Sequence, residues 1–398
     1  MSSPQVVEVE QLRLLRNTPE LLEEVQSSDL NDFQLQAALR QRYPRELVIA
    51  ALQLGDARSR ARSKFSRAAE MWLDGTGVEQ STSELVARHK MQRFADCGEV
   101  WDLCCGIGGD AIALAECEVS VQAVDISPLA TLRTAWNAEV YGVADRVQVH
   151  EADVTTVPLE DRYVHFDPDR RAGRQRAMRL EDYAPPLEFM QRVTQTAKGG
   201  AIKLSPASNF GGKFHDCEVE LISLDGECKE ATIWFGDRRS EAPCRATLLP
   251  SGASLAGDPW LARAPVEPLG RYMYDPDPAI VRAGLVDVLA EEAGFGRLDA
   301  AEEYLTSVEL IDSPFVRAFE VLADLPNNQR ELRKALRDLN AGELEIKCRH
   351  VPVDVNTFRK KLPLDGAEKL VLLIARLDGK TRAVIARRLG ESLVANSH

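Results

Sequence analysis

The sequence of 398 residues contains no long apolar run, no disulfide framework and no cluster of metal ligands. No hydrophobic stretch approaches the ~18 residues of a membrane-spanning helix, and the first residues lack the basic and apolar segments of a signal peptide. The eight cysteines form no Cys-x-x-Cys pair and the six histidines are scattered, which argues against a zinc site and against disulfides. These absences predict a cytoplasmic protein that holds no metal and binds no membrane.

Positive charge is also scarce, because the formal net charge is −13. A strongly acidic chain does not bind nucleic acid over its whole surface, since it repels the phosphates. Residues 327–398 are the exception: they contain fifteen Lys and Arg residues against nine Asp and Glu residues, a balance of +6, so the rest of the chain carries −19. This excess indicates either a basic face that binds nucleic acid or a locally basic surface exposed to solvent.

The pattern of apolar residues divides the chain into four segments. Residues 1–94 show the spacing of amphipathic helices. Residues 95–258 alternate short apolar strands with helical stretches, which predicts an α/β, Rossmann-like fold with a mostly parallel sheet and an antiparallel hairpin at its edge. Residues 259–314 are a proline-rich connector with one helix at 279–292. Residues 315–398 read as a small α+β module with the order strand, helix, strand, helix, hairpin.

The stretch WDLCCGIGGD, from Trp101 to Asp110, is a glycine-rich turn between a predicted strand and a predicted helix. Its Gly106-x-Gly108 fits a loose dinucleotide fingerprint, in which a pyrophosphate binds at the helix N-terminus. The carboxylate of Asp102 would oppose those phosphates. S-adenosylmethionine has no phosphate and carries two cationic groups, so an acid here is tolerable or helpful, and the glycines still let the backbone come close to the ligand.

Four acids each end a successive predicted strand: Asp102, Asp125, Asp153 and Asp167. Because the carboxyl ends of parallel strands meet at one edge of a sheet, we expect the four to converge on one crevice. Taken singly, each also fits a helix cap or a turn. Asp125, nineteen residues after Gly106, is placed to accept both ribose hydroxyls of either cofactor, and Asp153 to reach an adenine amino group.

Residues 98–170 resemble the class I S-adenosylmethionine-dependent methyltransferases, whose usual first motif is acid-x-Gly-x-Gly-x-Gly. The order D-x-x-C-G-x-G-G is similar to that of trimethylguanosine synthases and of several RNA methyltransferases, with Cys104 where the first glycine stands. The resemblance implies that the glycines approach the methionine portion of S-adenosylmethionine, Asp125 the ribose and Asp153 the adenine. The residues expected to bind the cofactor are Asp102, Cys104, Gly106, Gly108, Gly109, Asp125, Ile126, Asp153 and Val154.

The sequence FDPDR follows the fourth predicted strand. Amino-group methyltransferases usually carry Asp/Asn-Pro-Pro-aromatic here, so the resemblance assigns Asp167 and Pro168 to the methyl-acceptor pocket. Asp169 and Arg170 replace the second proline and the aromatic residue; the first can accept a proton or a hydrogen bond, and the second can stack on a base or grip a phosphate. A solvated loop is the alternative for the arginine run, whose candidate substrate-binding members are Arg170, Arg171 and Arg174.

Two further groups of residues invite a functional and a structural interpretation. Cys104 and Cys105, adjacent at a strand end, are interpreted as packing residues rather than nucleophiles. Trp72 and residues 79–82 precede the predicted sheet and either form a lid on the cofactor or make an ordinary contact between helices.

Residues 315–388, which include ELEIKCRHVPVD, resemble the THUMP-like domain that follows such a catalytic domain in bacterial proteins. THUMP domains proper are RNA-binding modules, so the resemblance implies an RNA partner. Together these features predict methyl transfer from S-adenosylmethionine to RNA, at a purine nitrogen of rRNA or tRNA. Two alternatives stay open: a methyltransferase for a small molecule or protein, and a non-catalytic RNA-binding protein that retains the fold.

Overall fold

The chain separates into two compact units, one of residues 1–218 with 231–240 and one of residues 219–230 with 241–398. The computed structural model describes residues 4–28, 31–170, 179–349, 359 and 362–390. In these ranges no helix is long and apolar enough to cross a membrane, and no three His, Cys, Asp or Glu side chains are grouped to hold a metal ion. The four predicted segment boundaries stay predictions.

The first unit begins with helices, as the apolar spacing predicts. Their bounds are Pro4–Arg16 (α1), Pro19–Ser27 (α2), Asp32–Leu39 (α3), Arg45–Ala61 (α4), Gly75–Gln80 (α5) and Glu84–Met91 (α6). Asn31 caps α3 and Asp74 caps α5, each through a side-chain oxygen that accepts a backbone N–H. The buried leucines of these helices share one core with Trp72, Ile107 and Trp136, so the helices pack directly on the glycine turn.

A parallel sheet covered by helices follows. Its strands are Glu99–Leu103 (β1), Ser120–Asp125 (β2), Val147–Glu151 (β3), Tyr163–Phe166 (β4) and Gly199–Leu204 (β5), and its helices are Gly109–Glu116 (α7), Pro128–Tyr141 (α8) and Leu187–Thr196 (α9). The strand order is β3-β2-β1-β4-β5, with every neighbouring pair parallel. The order reverses between β1 and β4, and sheets of this kind bind ligands at the carboxyl ends of the strands beside such a reversal.

Two strands joined by the predicted Asp225-Gly226 turn come next, Glu218–Leu224 (β6) and Glu227–Gly236 (β7). In the first unit, β7 lies antiparallel to β5, which gives the parallel sheet the antiparallel edge expected from the sequence. In the second unit, β6 pairs with Cys244–Leu249 (β8), and β8 pairs with Ala253–Gly257 (β9). The predicted mostly parallel, Rossmann-like fold is confirmed.

The second unit also contains a seven-stranded sheet with the order β11-β12-β10-β13-β16-β15-β14. Its strands are Tyr272–Pro276 (β10), Gly296–Arg297 (β11), Leu305–Ser307 (β12), Val316–Pro326 (β13), Ala341–Cys348 (β14), Glu368–Leu377 (β15) and Lys380–Arg388 (β16), and the helices of this unit are Pro278–Arg282 (α10), Val286–Ala293 (α11) and Gln329–Asp338 (α12). Alternate residues of β15 enter two cores: Leu372 packs in one with Leu336 of α12, and Leu373 packs in the other with Phe319.

One element differs from the expectation. The helix predicted at 279–292 is two helices, α10 and α11, because Gly284 takes a left-handed conformation (φ 73°) between them. The second helix predicted for the C-terminal module, over residues 355–362, lies almost wholly outside the described residues. The strands and the helix α12 of this α+β module follow the predicted order.

Candidate active site

Two glycines shape the turn between β1 and α7. Gly108 precedes α7 in a left-handed conformation (φ 86°), and a Cβ there would lie 3.0–3.1 Å from atoms of Thr134, so a larger residue is excluded. At Gly106 no described atom lies within 4 Å of the position that a Cβ would take. The turn is therefore closed by α8 at Gly108 and open at Gly106, where a ligand has room.

Cys104 begins this turn in a left-handed backbone conformation (φ 63°). Burial raises the pKa of its thiol well above the usual range, and the charges of Asp125 and Asp167 raise that pKa further. Burial also raises the pKa of Cys105. Both thiols therefore stay protonated at neutral pH, which favours the packing role over a nucleophilic one.

Asp125, the last residue of β2, is held by two backbone donors. The N–H of Gly106 donates to Oδ2 at 3.0 Å, and the N–H of Ser127 donates to Oδ1 at 2.9 Å. Burial raises the pKa of this carboxyl while the two N–H groups oppose the rise. The next residue, Ile126, exposes 71 % of its surface although it is apolar. A fixed acceptor beside an exposed apolar side chain suits a ribose followed by a flat ring.

Asp167 follows β4 and is paired with a lysine of β5. The Lys203 Nζ donates to Asp167 Oδ2 at 2.6 Å and to the backbone carbonyl of Gln80 at 3.0 Å. The side chain of Gln80 in turn donates to Asp169 Oδ1 at 2.9 Å. Burial raises the pKa of Asp167, and the Lys203 ammonium opposes that rise. Gln80, at the end of α5, thus contacts Asp169 directly and Asp167 only through Lys203. Pro168, which lies between the two acids in the sequence, is buried.

Asp102 lies buried in β1 and is bonded to a histidine that the sequence reading overlooked. His165 Nδ1 is 2.7 Å from Asp102 Oδ1, and its other nitrogen faces Lys90 and Asp110. The second oxygen, Asp102 Oδ2, is buried and has no hydrogen-bond partner among the residues that the structure describes. Burial raises the pKa of Asp102, and the contact with His165 opposes the rise.

The structure does not bring every candidate to the same crevice. The Asp153 carboxylate is exposed and accepts hydrogen bonds from the N–H and the hydroxyl of Thr155; this is the capping role weighed as its alternative, and its adenine role stays a prediction. Val154 is buried, and Arg170 is half-buried. Arg171 and Arg174 lie outside the described residues. Trp72 packs edge-on against Trp136 of α8, which is an ordinary structural contact rather than a lid.

Gln80 lies within residues 79–82, for which a lid on the cofactor is one of the two expectations, but Lys90, His165 and Lys203 escaped sequence reasoning. For two of these three a signal existed, because His165 and Lys203 are polar residues within short apolar strands, YVHF and GGAIKL. A charged or polar side chain in such a strand needs a partner when it is buried. For Lys90 there was none, since it belongs to a helix whose place on the sheet is a tertiary feature.

The residues present fit S-adenosylmethionine. The buried oxygen Asp102 Oδ2 has no hydrogen-bond partner in the described part of the chain, the backbone at Gly106 is open there, and Asp125 and Ile126 offer an acceptor and an apolar surface. A ligand with a cationic group, a ribose and an aromatic base can interact with each of these features. Fold and site together define an α/β protein that binds an adenosine-containing cofactor at the carboxyl ends of its strands.

Comparison with known proteins gives the family. Residues 97–199 match the model of a family described as RNA cap guanine-N2 methyltransferase, and residues 316–388 match a THUMP domain-like family. An uncharacterized S-adenosylmethionine-dependent methyltransferase, found in two strains of Mycobacterium tuberculosis, is 34% identical over 312 residues, which are 77% of this chain and 85% of the relative. The chain therefore belongs to the S-adenosylmethionine-dependent methyltransferases, and S-adenosylmethionine is its cofactor.

A solved structure shares the fold along almost the whole chain. A candidate methyltransferase from Porphyromonas gingivalis superposes with a TM-score of 0.76, covering 96% of this chain and 99% of its own, at 19% sequence identity. At that identity the likeness shows the fold alone.

Proposed function

We propose that this methyltransferase modifies RNA, at a purine nitrogen of rRNA or tRNA. The observation that carries the proposal is the match of residues 97–199 to the family described as RNA cap guanine-N2 methyltransferase, since that range contains Asp102, Asp125 and Asp167. The THUMP domain-like match at 316–388 supports the same substrate class. An exocyclic amine on a purine base is the acceptor that a carboxylate at the end of β4 suits best.

In this proposal the cofactor lies across the carboxyl ends of β1 and β2. Asp102 binds the cationic methionine end of the cofactor, and Asp125 accepts hydrogen bonds from the ribose hydroxyls. The methionine end lies on the turn formed by Cys104, Gly106, Gly108 and Gly109. Ile126 covers one face of the adenine, and Asp153 and Val154 lie at its edge. When bound, S-adenosylmethionine supplies an activated methyl group on a sulfonium.

Asp167 orients the acceptor. Its Oδ2 is occupied by Lys203, so Oδ1 accepts an N–H of the purine amine and aims the nitrogen lone pair at the methyl carbon. On accepting the methyl group the nitrogen would release one proton, to water or to Asp169. Pro168 fixes the backbone beside the base. Alignment of this kind supplies much of the rate of a direct displacement.

A basic stripe on α12 supports an RNA partner. Leu332 and Leu336 bury one side of this helix, and four exposed cations recur at helical spacing on the other side. They are Arg330, Arg333, Lys334 and Arg337. Within the described part of the chain none of the four forms an ion pair, whereas most other cations of β14, β15 and β16 meet a carboxylate, such as Arg382 with Asp324 at 2.8 Å. Unpaired cations in register are what a phosphate backbone needs.

The experiment is transfer of labelled methyl groups from S-adenosylmethionine to total RNA from a strain that lacks this gene, with RNA from the native strain alongside. Label in the deletion-strain RNA alone is the expected result, because its target position is unmodified, and nuclease mapping then finds the base. The Asp167→Ala protein serves as the matched enzyme control. If neither RNA takes up label while cofactor binding is normal, the RNA proposal fails in favour of a small-molecule or protein acceptor, or of a fold kept for binding.

A further inference from the structure

Beneath the cofactor crevice lies a cluster of four ionisable side chains from four elements: Lys90 of α6, Asp102 of β1, Asp110 of α7 and His165 of β4. We call these four residues the buried ionic cluster. The exposed fractions are 0% for Lys90 and His165, 1% for Asp102 and 7% for Asp110. Burying a charge this deep costs several kcal/mol unless the charge is paired. The pairing among these four side chains therefore indicates what the cluster does.

The distances fix the state of the histidine. Its Nδ1 is 2.7 Å from Asp102 Oδ1, and its Nε2 is 3.5 Å from Lys90 Nζ. Lys90 is itself 3.1 Å from Asp110 Oδ1, and Thr82 donates to Asp110 Oδ2 at 3.0 Å. An ammonium beside Nε2 disfavours a proton there. His165 therefore donates from Nδ1 to Asp102 Oδ1, and its Nε2 faces the Lys90 ammonium.

The contacts within the buried ionic cluster leave one side of Asp102 unused. Lys90 lies 3.1 Å from Asp110 Oδ1, and His165 reaches Asp102 only at Oδ1. Two buried oxygens of the cluster, Asp102 Oδ2 and Asp110 Oδ1, have no hydrogen-bond partner among the described residues, but Asp110 Oδ1 is the one that faces the Lys90 ammonium. A cluster that served only to join α6 and α7 to the sheet would leave no oxygen like Asp102 Oδ2, since a buried unpaired oxygen costs roughly 1–3 kcal/mol.

We propose that His165 is a positioning residue, which Lys90 and Asp110 hold in its Nδ1–H form so that it fixes the Asp102 carboxylate with Oδ2 toward the α-ammonium of the cofactor. The inference rests on the proposed placement of Asp102 at the methionine end of S-adenosylmethionine. It deepens that placement, because it assigns a role to residues that touch neither cofactor nor substrate. The ammonium supplies the partner that Asp102 Oδ2 lacks among the described residues, so its recognition depends on a histidine that does not itself touch the cofactor.

The test uses calorimetry with three ligands: S-adenosylhomocysteine, its analogue without the α-amino group, and adenosine. The wild-type protein is expected to prefer S-adenosylhomocysteine to the des-amino analogue by about 10- to 100-fold, the range of a charge-assisted hydrogen bond. His165→Leu removes the donor to Asp102, and Asp102→Asn removes the charge. In both variants the preference is expected to fall to less than about 3-fold while adenosine affinity is unchanged.

His165→Asn is the rescue variant, because the asparagine amide nitrogen lies near the position of Nδ1 and donates to Asp102. It is expected to keep most of the amine preference. His150→Leu is the matched control: His150 is a half-buried histidine on β3 of the same sheet, bonded to Gln122 at 2.6 Å, and its loss should leave the preference intact.

Three outcomes overturn the inference: no amine preference in the wild type, an unchanged preference in Asp102→Asn, or an unchanged preference in folded His165→Leu. If His165→Leu does not fold, the comparison of Asp102→Asn with His165→Asn decides. An equal loss of amine preference in these two variants means that His165 acts through more than the hydrogen bond that it donates to Asp102. Because only cofactor binding is measured, these outcomes are independent of whether RNA is the methyl acceptor.

Discussion

At the scale of single residues, three strand-end acids hold their charge in three different ways. Asp102 is bonded to His165, Asp125 accepts two backbone N–H groups, and Asp167 is paired with Lys203. Burial raises the pKa of all three, and the donor of each opposes that rise. The proposed roles of the three acids can thus be separated by substitution.

Asp125→Ala is expected to weaken S-adenosylmethionine binding at least about 100-fold, because it removes a charged acceptor for two ribose hydroxyls. Calorimetry on the purified variant measures this directly. Asp145→Ala, which removes an exposed acid from the loop before β3, is the control for the change in charge. Cofactor affinity that survives in the Asp125 variant would contradict the ribose assignment.

Asp167→Ala is expected to lower the rate of methyl transfer by about 100-fold or more while the cofactor still binds, because the acceptor loses its orienting partner. Single-turnover assays with preloaded enzyme, paired with calorimetry, separate the two effects. Turnover at the wild-type rate would remove Asp167 from the mechanism, and loss of cofactor binding would move it to the cofactor pocket.

The pH dependence of methyl transfer tests the pairing of Asp167 with Lys203. Since burial raises the pKa of Asp167 and the ionised form is the one that orients the amine, activity should fall with decreasing pH at a higher pH than for an ordinary aspartate. Lys203→Met removes the opposing cation, so the acid limb should move to still higher pH. A limb that stays in place would show that another group titrates.

At the scale of elements, α12 carries the most specific prediction. Arg333→Ala together with Lys334→Ala removes two cations from the basic stripe without touching its buried face. If both meet phosphates, the slope of log affinity against log salt for RNA should lose about 1.4–1.8 in magnitude, at ~0.7–0.9 for each contact. Filter binding at several salt concentrations gives the slope.

The control for that experiment removes the same charge elsewhere. Arg13→Ala with Arg40→Ala deletes two exposed arginines from the N-terminal helices, and this pair should leave the slope unchanged. Equal losses from the two double variants would mean that net charge, rather than the stripe on α12, governs RNA affinity.

The elements themselves were largely predictable from the sequence. The alternation of short apolar runs with helical periods predicts the parallel strands. Asp-Gly, a common hairpin turn, occurs at residues 225–226 between β6 and β7 and at residues 378–379 between the antiparallel strands β15 and β16. The helix at 279–292 was wrong as a single helix, because one glycine was taken for an interior residue. Asp125 and Asp167 could be proposed as site residues because they end predicted strands, but Lys90 could not, because a lysine on an amphipathic helix looks like any solvated residue.

At the scale of the whole molecule, the buried ionic cluster ties the helical layer to the sheet. Burial acts to raise the pKa of Asp110, but Lys90, His165 and Lys203 outweigh it and hold that pKa below its usual range. A lowered pKa in the folded state means stability that is present above the unfolded value of about 4 and is lost as the pH falls below it.

Lys90→Met is therefore expected to lower the free energy of unfolding by about 3–5 kcal/mol at pH 7, since it leaves Asp110 buried without its nearest cation. Denaturant unfolding of the full chain at pH 7 and at pH 3.5 measures the loss. The deficit should shrink at the lower pH, where the wild type also loses the benefit. A deficit that is the same at both values would indicate lost packing instead.

The position of Lys90 limits which segments of such enzymes can be exchanged between relatives. The family match begins at residue 97, yet Gln80, Thr82 and Lys90 stand upstream and supply partners to Lys203 and Asp110. A sheet transplanted without the residues before 97 would lose Lys90, the cation beside Asp110, and the hydrogen-bond partners at Gln80 and Thr82. We therefore expect chimaeras between relatives to fold only when the helices from α5 onward and the sheet come from the same protein.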